Sequence, residues 1–568
     1  MQPGQDDRGA IWSRRLADEF WSGPVTPLTY SLLAPPMVER MVARPLATAG
    51  LDELGRLPVF RLHASHVYVN AALLAEVIGR LPGLVRSAGL MALLPPAARA
   101  RVRPAGTLEG LPGAALIAGR LLAGERAWAP WQRAAAFEAA CARVRRDLGG
   151  NDAAPLARPP WALVAEMRRV QDALGDYLAI VSWGVVFAYV FYHLLVELVR
   201  HWAPAARDRC GDLTVGLPGV ASLEAHHDVF ALGALLAADA AAGATPAATA
   251  RRLRTDRGEA GARLHALLAR HGHRLTGRDL LHPGWHEAPE LVVGLALRST
   301  RERHPALAAT ARRKEAVAAI ERALGGGPLG LARRGVFRAA LATAQRYYVV
   351  RENMRYHADF FLARLRALTL ALGRRLAGDG AVAEPTDLFF LTFAELERAV
   401  AALDRPGEPD APLAARAAER RTRYEREALA TPPAVLDGAA ESAPAGAARP
   451  DALAGETGAP GRCRGRARLV RVVGDFDRVA PGDVIVAAYA DPAWTPMLDL
   501  ASGLVLEAGG QLSHGAIVAR ELGIPALVKV EGALGSIREG DTIELDTTAA
   551  PSALVPVDAA DGRTWRTP

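Results

Sequence analysis

Residues 504–530, LVLEAGGQLSHGAIVARELGIPALVKV, constrain the fold of this chain more than any other stretch. An apolar run, Leu504-Val505-Leu506, has the composition of a buried strand and breaks at Gly509-Gly510. A short helix is predicted from about Gly515 to Leu522, closed by Gly523, and Ile524-Pro525 leads into a second strand over residues 526–530. Strand, glycine loop, helix and strand in this order make an α/β unit. They place His514 where the glycine loop meets a helix N-terminus. Free backbone N–H groups and the positive end of the helix dipole favour an anion there. Neutral imidazole is also a competent nucleophile near pH 7.

The order Gly509-Gly510, two residues, Ser513-His514-Gly515, then Ala519-Arg520-Glu521-Leu522-Gly523-Ile524-Pro525 resembles the phosphohistidine swivelling domain of phosphoenolpyruvate-utilising enzymes. The similarity extends upstream through Asp491-Pro492-Ala493-Trp494-Thr495-Pro496 to Gly465, and downstream to Gly540-Asp541-Thr542-Ile543-Glu544-Leu545-Asp546. Thr547 stands where that family's glycine is expected, which implies a changed turn. The resemblance implies that His514 carries a phosphoryl group between two sites, on a loop formed by Gly509, Gly510, Ser513 and Gly515. Glu507, Thr495, Arg520 and Glu352 are secondary candidates. Ser513 is expected to cap the helix and Arg520 to make a surface pair.

Further resemblances run through the rest of the chain. Trp21-Ser22-Gly23-Pro24-Val25-Thr26-Pro27-Leu28-Thr29 is similar to the opening of the substrate domain in the rifampin-phosphotransferase-like branch of that family, with an extended lead into a helix starting near Ser31. Residues 58–70, PVFRLHASHVYVN, alternate as a short hairpin. Gly272-His273-Arg274, Asp279 and residues 283–289 resemble a loop of the same domain, although Arg278 departs from its acidic pattern. Hydrogen bonding from loop to core is the expected role of His273 and Arg274. Between them, residues 71–402 read as Ala-, Leu- and Arg-rich helices broken by Pro and Gly.

Arg351 and Arg355 lie one helical turn apart and so share a face, with Glu352 and Arg346 nearby. Two planar guanidinium groups on one face suit a phosphate. Periodicity alone is equally satisfied by an exposed helix whose arginines pair with Glu352 and Asp359. The family's Arg-Glu-x-x-Lys element, which faces the arriving phosphohistidine, corresponds to Arg351-Glu352-Asn353-Met354-Arg355. Arg355 in place of Lys keeps the charge, but it does not titrate and so is no base.

The expected architecture is therefore multidomain, α plus α/β. A large, mostly helical substrate domain over 11–402, with a small β element near 58–70, precedes a partly flexible linker over 403–460 and a mobile phosphohistidine domain over 461–556. The linker is rich in Ala, Pro and Gly, and a coil of about thirty residues spans roughly 30 Å.

Composition excludes several functions. The formal charge of +7 rests on arginines interleaved with acids, and Lys314 and Lys529 are the only lysines; no basic block for nucleic acid results. Cys141, Cys210 and Cys463 are odd in number and without metal spacing, so a reducing cytoplasm is expected and no metal site. The first ten residues lack the apolar segment of an export signal. Residues 177–199 are apolar almost over a membrane's width, yet His193 and Glu197 interrupt them; a helix buried all round is expected. No nucleotide loop with the Lys and acidic ligands of an ATP-grasp domain is present. The resemblance thus implies a separate ATP-grasp partner that uses ATP and Mg2+, and a sizeable apolar acceptor bearing a hydroxyl or carboxyl group. The alternatives are a protein that sequesters an apolar ligand, or a phosphohistidine carrier that serves another protein.

Overall fold

The computed structural model describes residues 10–17, 20–21, 23–80, 91, 94–103, 130–148, 158–298, 305–403, 413–428, 430, 432–437, 440–441, 453–471, 475, 478–490, 494–507, 509–510, 513–530, 532–548, 553–559 and 562–566. Two compact units divide the chain. One comprises Met1–Val186, Arg278–His282 and His357–Gly446; the other comprises Phe187–Gly277, Pro283–Tyr356 and Ala447–Pro568. Both are rich in helix. The helices used below are α1 (Pro27–Met37), α2 (Pro160–Trp202), α3 (Ala221–Leu235), α4 (Pro246–Thr255), α5 (Glu259–His271), α6 (Pro289–Arg298), α7 (Pro305–Ala323), α8 (Gly327–Gly378) and α9 (His514–Leu522).

In the first unit the hairpin read at 58–70 is present, as β2 (Phe60–His63) and β3 (His66–Asn70). Ala64 and Ser65 form its two-residue turn, both at positive φ, the conformation such a turn demands. Unforeseen from the local pattern, β1 (Ile11–Ser13) pairs with β3 on one side and β4 (Val435–Asp437) on the other, and β5 (Ala440–Glu441) completes a five-stranded sheet. Residues placed in the linker by composition thus supply strands instead of coil. Helix α1 starts at Pro27, four residues before the expected point, because proline is well tolerated in a first helical turn. Buried Asp279 accepts from the Thr26 N–H at 2.5 Å and the Thr26 hydroxyl at 2.9 Å. Two segments that read as separate motifs are thereby joined.

In the second unit α3, α4, α5 and α6 enclose one apolar core around Trp285, with Val229, Leu253, Leu264 and Val292 fully buried. A second core joins the end of α2 and the 3-10 run Pro204–Thr214 to α7 and α8 through Leu195, Leu213, Ile320 and Phe337. Gly325 and Gly327, both at positive φ, turn the chain between α7 and α8. Burial along 177–199 is one-sided: Tyr192, Leu195 and Val199 are buried, whereas Leu194 is 47% exposed and Glu197 is exposed. This segment is an amphipathic stretch of α2, not one buried all round. No helix among the described residues is long and apolar enough to cross a membrane.

The remainder of this unit is a nine-stranded sheet in the order β6-β13-β14-β12-β8-β9-β10-β11-β7. Its strands are β6 (Leu453–Ala454), β7 (Glu456–Ala459), β8 (Arg462–Val470), β9 (Val484–Ala487), β10 (Gly503–Leu506), β11 (Ala526–Val528), β12 (Thr542–Asp546), β13 (Ala553–Ala559) and β14 (Gly562–Arg566). The inner strands β8 to β11 are parallel, as strand-helix-strand connections require. Of these, β9, β10 and β11 are apolar and buried throughout because both faces are covered, whereas β8 exposes arginines along its first half. Ile485, Leu504 and Ala526 are in register and join one core with Ala516, Ala519 and Leu522 of α9. Val486, Val505 and Leu527 are in register on the opposite face with Leu534 and Ile543.

Candidate functional site

The strand β10 and helix α9 set the position of His514. Gly509 has φ 106°, and a Cβ there would meet the Ser513 Oγ at 2.7 Å, so glycine is required to turn the loop. The Ser513 backbone N–H and hydroxyl both donate to the Gly510 carbonyl, at 2.9 and 2.8 Å. Ser513 thus occupies the N-cap position, but its side chain braces the loop and does not cap the helix. Gly515 lets the first turn of α9 lie on the sheet, since a Cβ would come within 2.5 Å of Leu506 Cδ1 and 2.9 Å of Ala490 Cβ. Gly515→Ala is therefore expected to destabilise this domain by about 1–3 kcal/mol. Chemical unfolding would check it, and a loss within about 0.5 kcal/mol would mean that the helix simply moves away.

His514 is buried, and its Nδ1 lies 3.2 Å from Oε2 of Glu352 on α8. Glu352 is buried too, and its other oxygen, Oε1, accepts from Arg351 at 2.8 Å. The Arg351 guanidinium lies over the Tyr189 ring, 5.5 Å from its centroid, so a planar cation is held by an aromatic face and a carboxylate. Burial pushes the Glu352 carboxyl up. The hydrogen bond to His514 and the charges of His514, Arg351 and Arg355 outweigh it, and the pKa falls to about 2. An ionised carboxylate has no proton to give, so the hydrogen between the two groups resides on Nδ1. The lone pair of the ring is then on Nε2. Tyr348, buried one helical turn before Glu352, has its hydroxyl pKa raised well above the usual value, first by burial and then by the Glu352 and Glu521 charges.

Of the residues read from the sequence, the structure brings His514, Arg351 and Glu352 together. Arg355 is half-buried and contributes charge to Glu352, while Arg346 is exposed. The exposed Arg-rich face that periodicity allowed is not found, because Arg351 is buried. Glu507 accepts from the Leu534 N–H at 2.9 Å and serves the sheet. Arg520 is buried and donates to the Gly458 carbonyl at 2.7 Å; it makes no surface pair. Thr495 opens a short helix, Thr495–Leu498, and residues 491–493 lie outside the described residues. His273 bonds the Tyr356 carbonyl at 3.3 Å, the role expected of it, and Arg274 is buried with its guanidinium over the Trp285 ring. No group of three or more metal-ligating side chains occurs among the described residues.

Sequence reading missed Tyr189, hidden in an apolar helix, and ranked Glu352 only as a secondary candidate. Their 162-residue separation left no local signal linking Glu352 to His514.

The site is thus a buried imidazole with one nitrogen tied to a carboxylate, at the end of a parallel strand-loop-helix unit. Residues 479–550, which contain His514, match the PEP-utilising enzyme mobile domain, and residues 181–352, which end on Glu352, match the rifampicin phosphotransferase fourth domain. The chain is similar to the rifampicin phosphotransferase of Streptomyces sviceus, 32% identical over 299 residues, which are 50% of this chain and 33% of that protein. It is 29% identical to the rifampicin phosphotransferase of Bacillus subtilis over 306 residues, again 50% of this chain and 33% of the relative. A chondramide synthase of Chondromyces crocatus is 31% identical over 310 residues, 50% of this chain and 8% of that protein. The matched region is thus a third or less of the length of these relatives.

Proposed function

We propose that this chain is a phosphotransferase component in which His514 carries a phosphoryl group to a small, largely apolar molecule bearing a hydroxyl or carboxyl group. The observation that carries the reading is the His514–Glu352 pair: with the hydrogen held on Nδ1, Nε2 is the ring atom open to a phosphoryl group, and a carboxylate stands behind the ring at the site on α8. A separate ATP-grasp protein, using ATP and Mg2+, loads Nε2. At the site on α8 the acceptor oxygen forms a bond to phosphorus, the P–Nε2 bond breaks and its electron pair returns to the ring. The acceptor's proton is released. Glu352 stabilises the cationic ring of the phosphohistidine, and Arg351 and Arg355 supply the positive charge that the travelling phosphoryl needs, largely by positioning and electrostatics. Similarity to rifampicin phosphotransferases supports a small-molecule acceptor, and the apolar cores of the helical region suit a hydrophobic one.

Intact-mass measurement tests this. The chain is incubated with ATP and Mg2+, alone and with an ATP-grasp partner, beside His514→Ala. The expected result is an acid-labile phosphate that requires the partner and is absent from the variant. A folded chain that never gains phosphate with any partner would instead favour ligand sequestration.

A further inference from the structure

Helix α9 meets the helical part of its unit at both ends, and only the first end is explained by chemistry. His514, Ile517 and Glu521 recur at helical spacing on one stripe, turned away from the sheet that Ala516, Ala519 and Leu522 cover. Glu521 is buried and accepts from the Gly216 N–H through both carboxylate oxygens, at 2.9 and 2.8 Å. Gly216 cannot be another residue: its φ is 59°, and a Cβ would stand 2.6 Å from the Thr310 backbone nitrogen. The loop is held in place from α7, where Arg313 donates to the carbonyls of Val215 and Gly216. Neighbouring Arg312 donates to the Arg520 carbonyl in the last turn of α9. Every one of these partners lies outside the sheet domain. Core packing of that domain alone calls for none of them.

We propose that Glu521 is a positioning residue, a latch that holds the histidine-bearing helix on the helical region and so sets how often His514 faces Glu352. This rests on the reading that the domain travels, since a latch matters only where docking is reversible. The groups facing Glu521 are the Gly216 N–H from the loop, Arg312 and Arg313 from α7, Tyr348 from α8 and Arg520 from its own helix, with Asp212 near Arg312 at 3.8 Å. Burial raises the Glu521 carboxyl most, against the Gly216 bond and the arginine charges, to about 7 from an ordinary value of 4.5. The sign follows from linkage. A docked-state pKa above the undocked one means that docking is strongest below pH 4.5 and weakens as pH rises from there through about 7. A neutral Gln removes that dependence, whereas Ala removes the acceptor.

The test uses the full chain and the rate at which diethyl pyrocarbonate modifies His514, read by peptide mass relative to exposed His265. Docking buries His514, so modification reports undocking. Glu521→Ala is expected to raise the relative rate about tenfold, equivalent to roughly 1.4 kcal/mol of docking. Arg313→Ala is expected to act in the same direction, and it decides the matter should Glu521→Ala unfold. Glu521→Gln is expected to protect His514 better than the natural chain at pH 8.5, by a margin that narrows at pH 6. The comparison at each pH cancels the reagent's own dependence on imidazole protonation. Rates within about twofold of the natural chain for both alanine variants, with the sheet amides still protected from exchange, would overturn the latch. If the alanine variants expose His514 but it never gains phosphate with any partner, the latch stands and the phosphotransfer reading falls. If His514 loads phosphate yet stays equally protected in both variants, the reverse holds.

Discussion

In Glu352→Gln, discharge of phosphohistidine to the acceptor is expected to slow by about 10²–10⁴-fold while loading proceeds at its normal rate. The asymmetry is the informative part. Glu352 meets His514 only where the helix bearing His514 is docked on α8, so its carboxylate serves the step carried out there and no other. Gln keeps the volume but not the charge. Its amide NH2, turned towards Nδ1, also disfavours the hydrogen on that nitrogen, and a phosphorylated ring without it is a poorer leaving group. The pH dependence has a definite sign. The Glu352 carboxyl is held at about 2, below its ordinary 4.5, so its contribution is complete above pH 4.5 and is lost as pH falls from there towards 2. Quenched-flow sampling of preloaded protein, chased with acceptor, measures both steps. Equal slowing of loading and discharge would show that the variant disturbs His514 generally, and discharge within about threefold of normal would remove Glu352 from the mechanism.

How much of this was legible in the sequence depends on whether a feature is local. The unit from β10 to β11 was readable because each break has a local cause: Gly509 and Gly523 sit at positive φ, and Gly515 touches the sheet. The hairpin at 60–70 alternates visibly, but its partner β1 lies some fifty residues away and the next strand, β4, several hundred, and no local pattern announces a pairing at that distance. The same limit applied at the site. Arg351 and Arg355 were found by helical spacing, whereas Glu352, adjacent to Arg351, has no spacing of its own to mark it and stands only as a secondary candidate until the fold sets it against an imidazole. Arg520 and Glu521 were misjudged or passed over for a related reason. Charged residues on a short helix look solvated, and only a helix buried on both faces reverses that expectation.

The second large effect concerns Arg351. In Arg351→Ala the Glu352 carboxylate stays buried but loses its 2.8 Å donor and the cation held over Tyr189. Breaking a buried pair from one side costs about 3–5 kcal/mol, because the remaining charge is uncompensated. Arg351→Lys should recover only part of this, since a compact ammonium neither stacks on the ring nor presents a planar fork. Burial is the largest influence on the Glu352 carboxyl and acts upward. With one counter-charge gone, the pKa of Glu352 rises, and discharge in Arg351→Ala is expected to fail at a higher pH than in the natural chain. The decisive variant removes both charges. If the pair is retained for chemistry, Arg351→Met combined with Glu352→Leu should regain most of the stability lost in Arg351→Ala, because an apolar pair of similar volume leaves no buried charge. It should still be unable to discharge the phosphoryl group. Thermal unfolding and acceptor chase on the natural chain, Arg351→Ala and the double variant make the comparison. Recovery of stability without recovery of transfer would separate the two roles of Arg351. A double variant as unstable as Arg351→Ala would mean that the pair holds the fold through its geometry, and the catalytic account of Arg351 would lose its support.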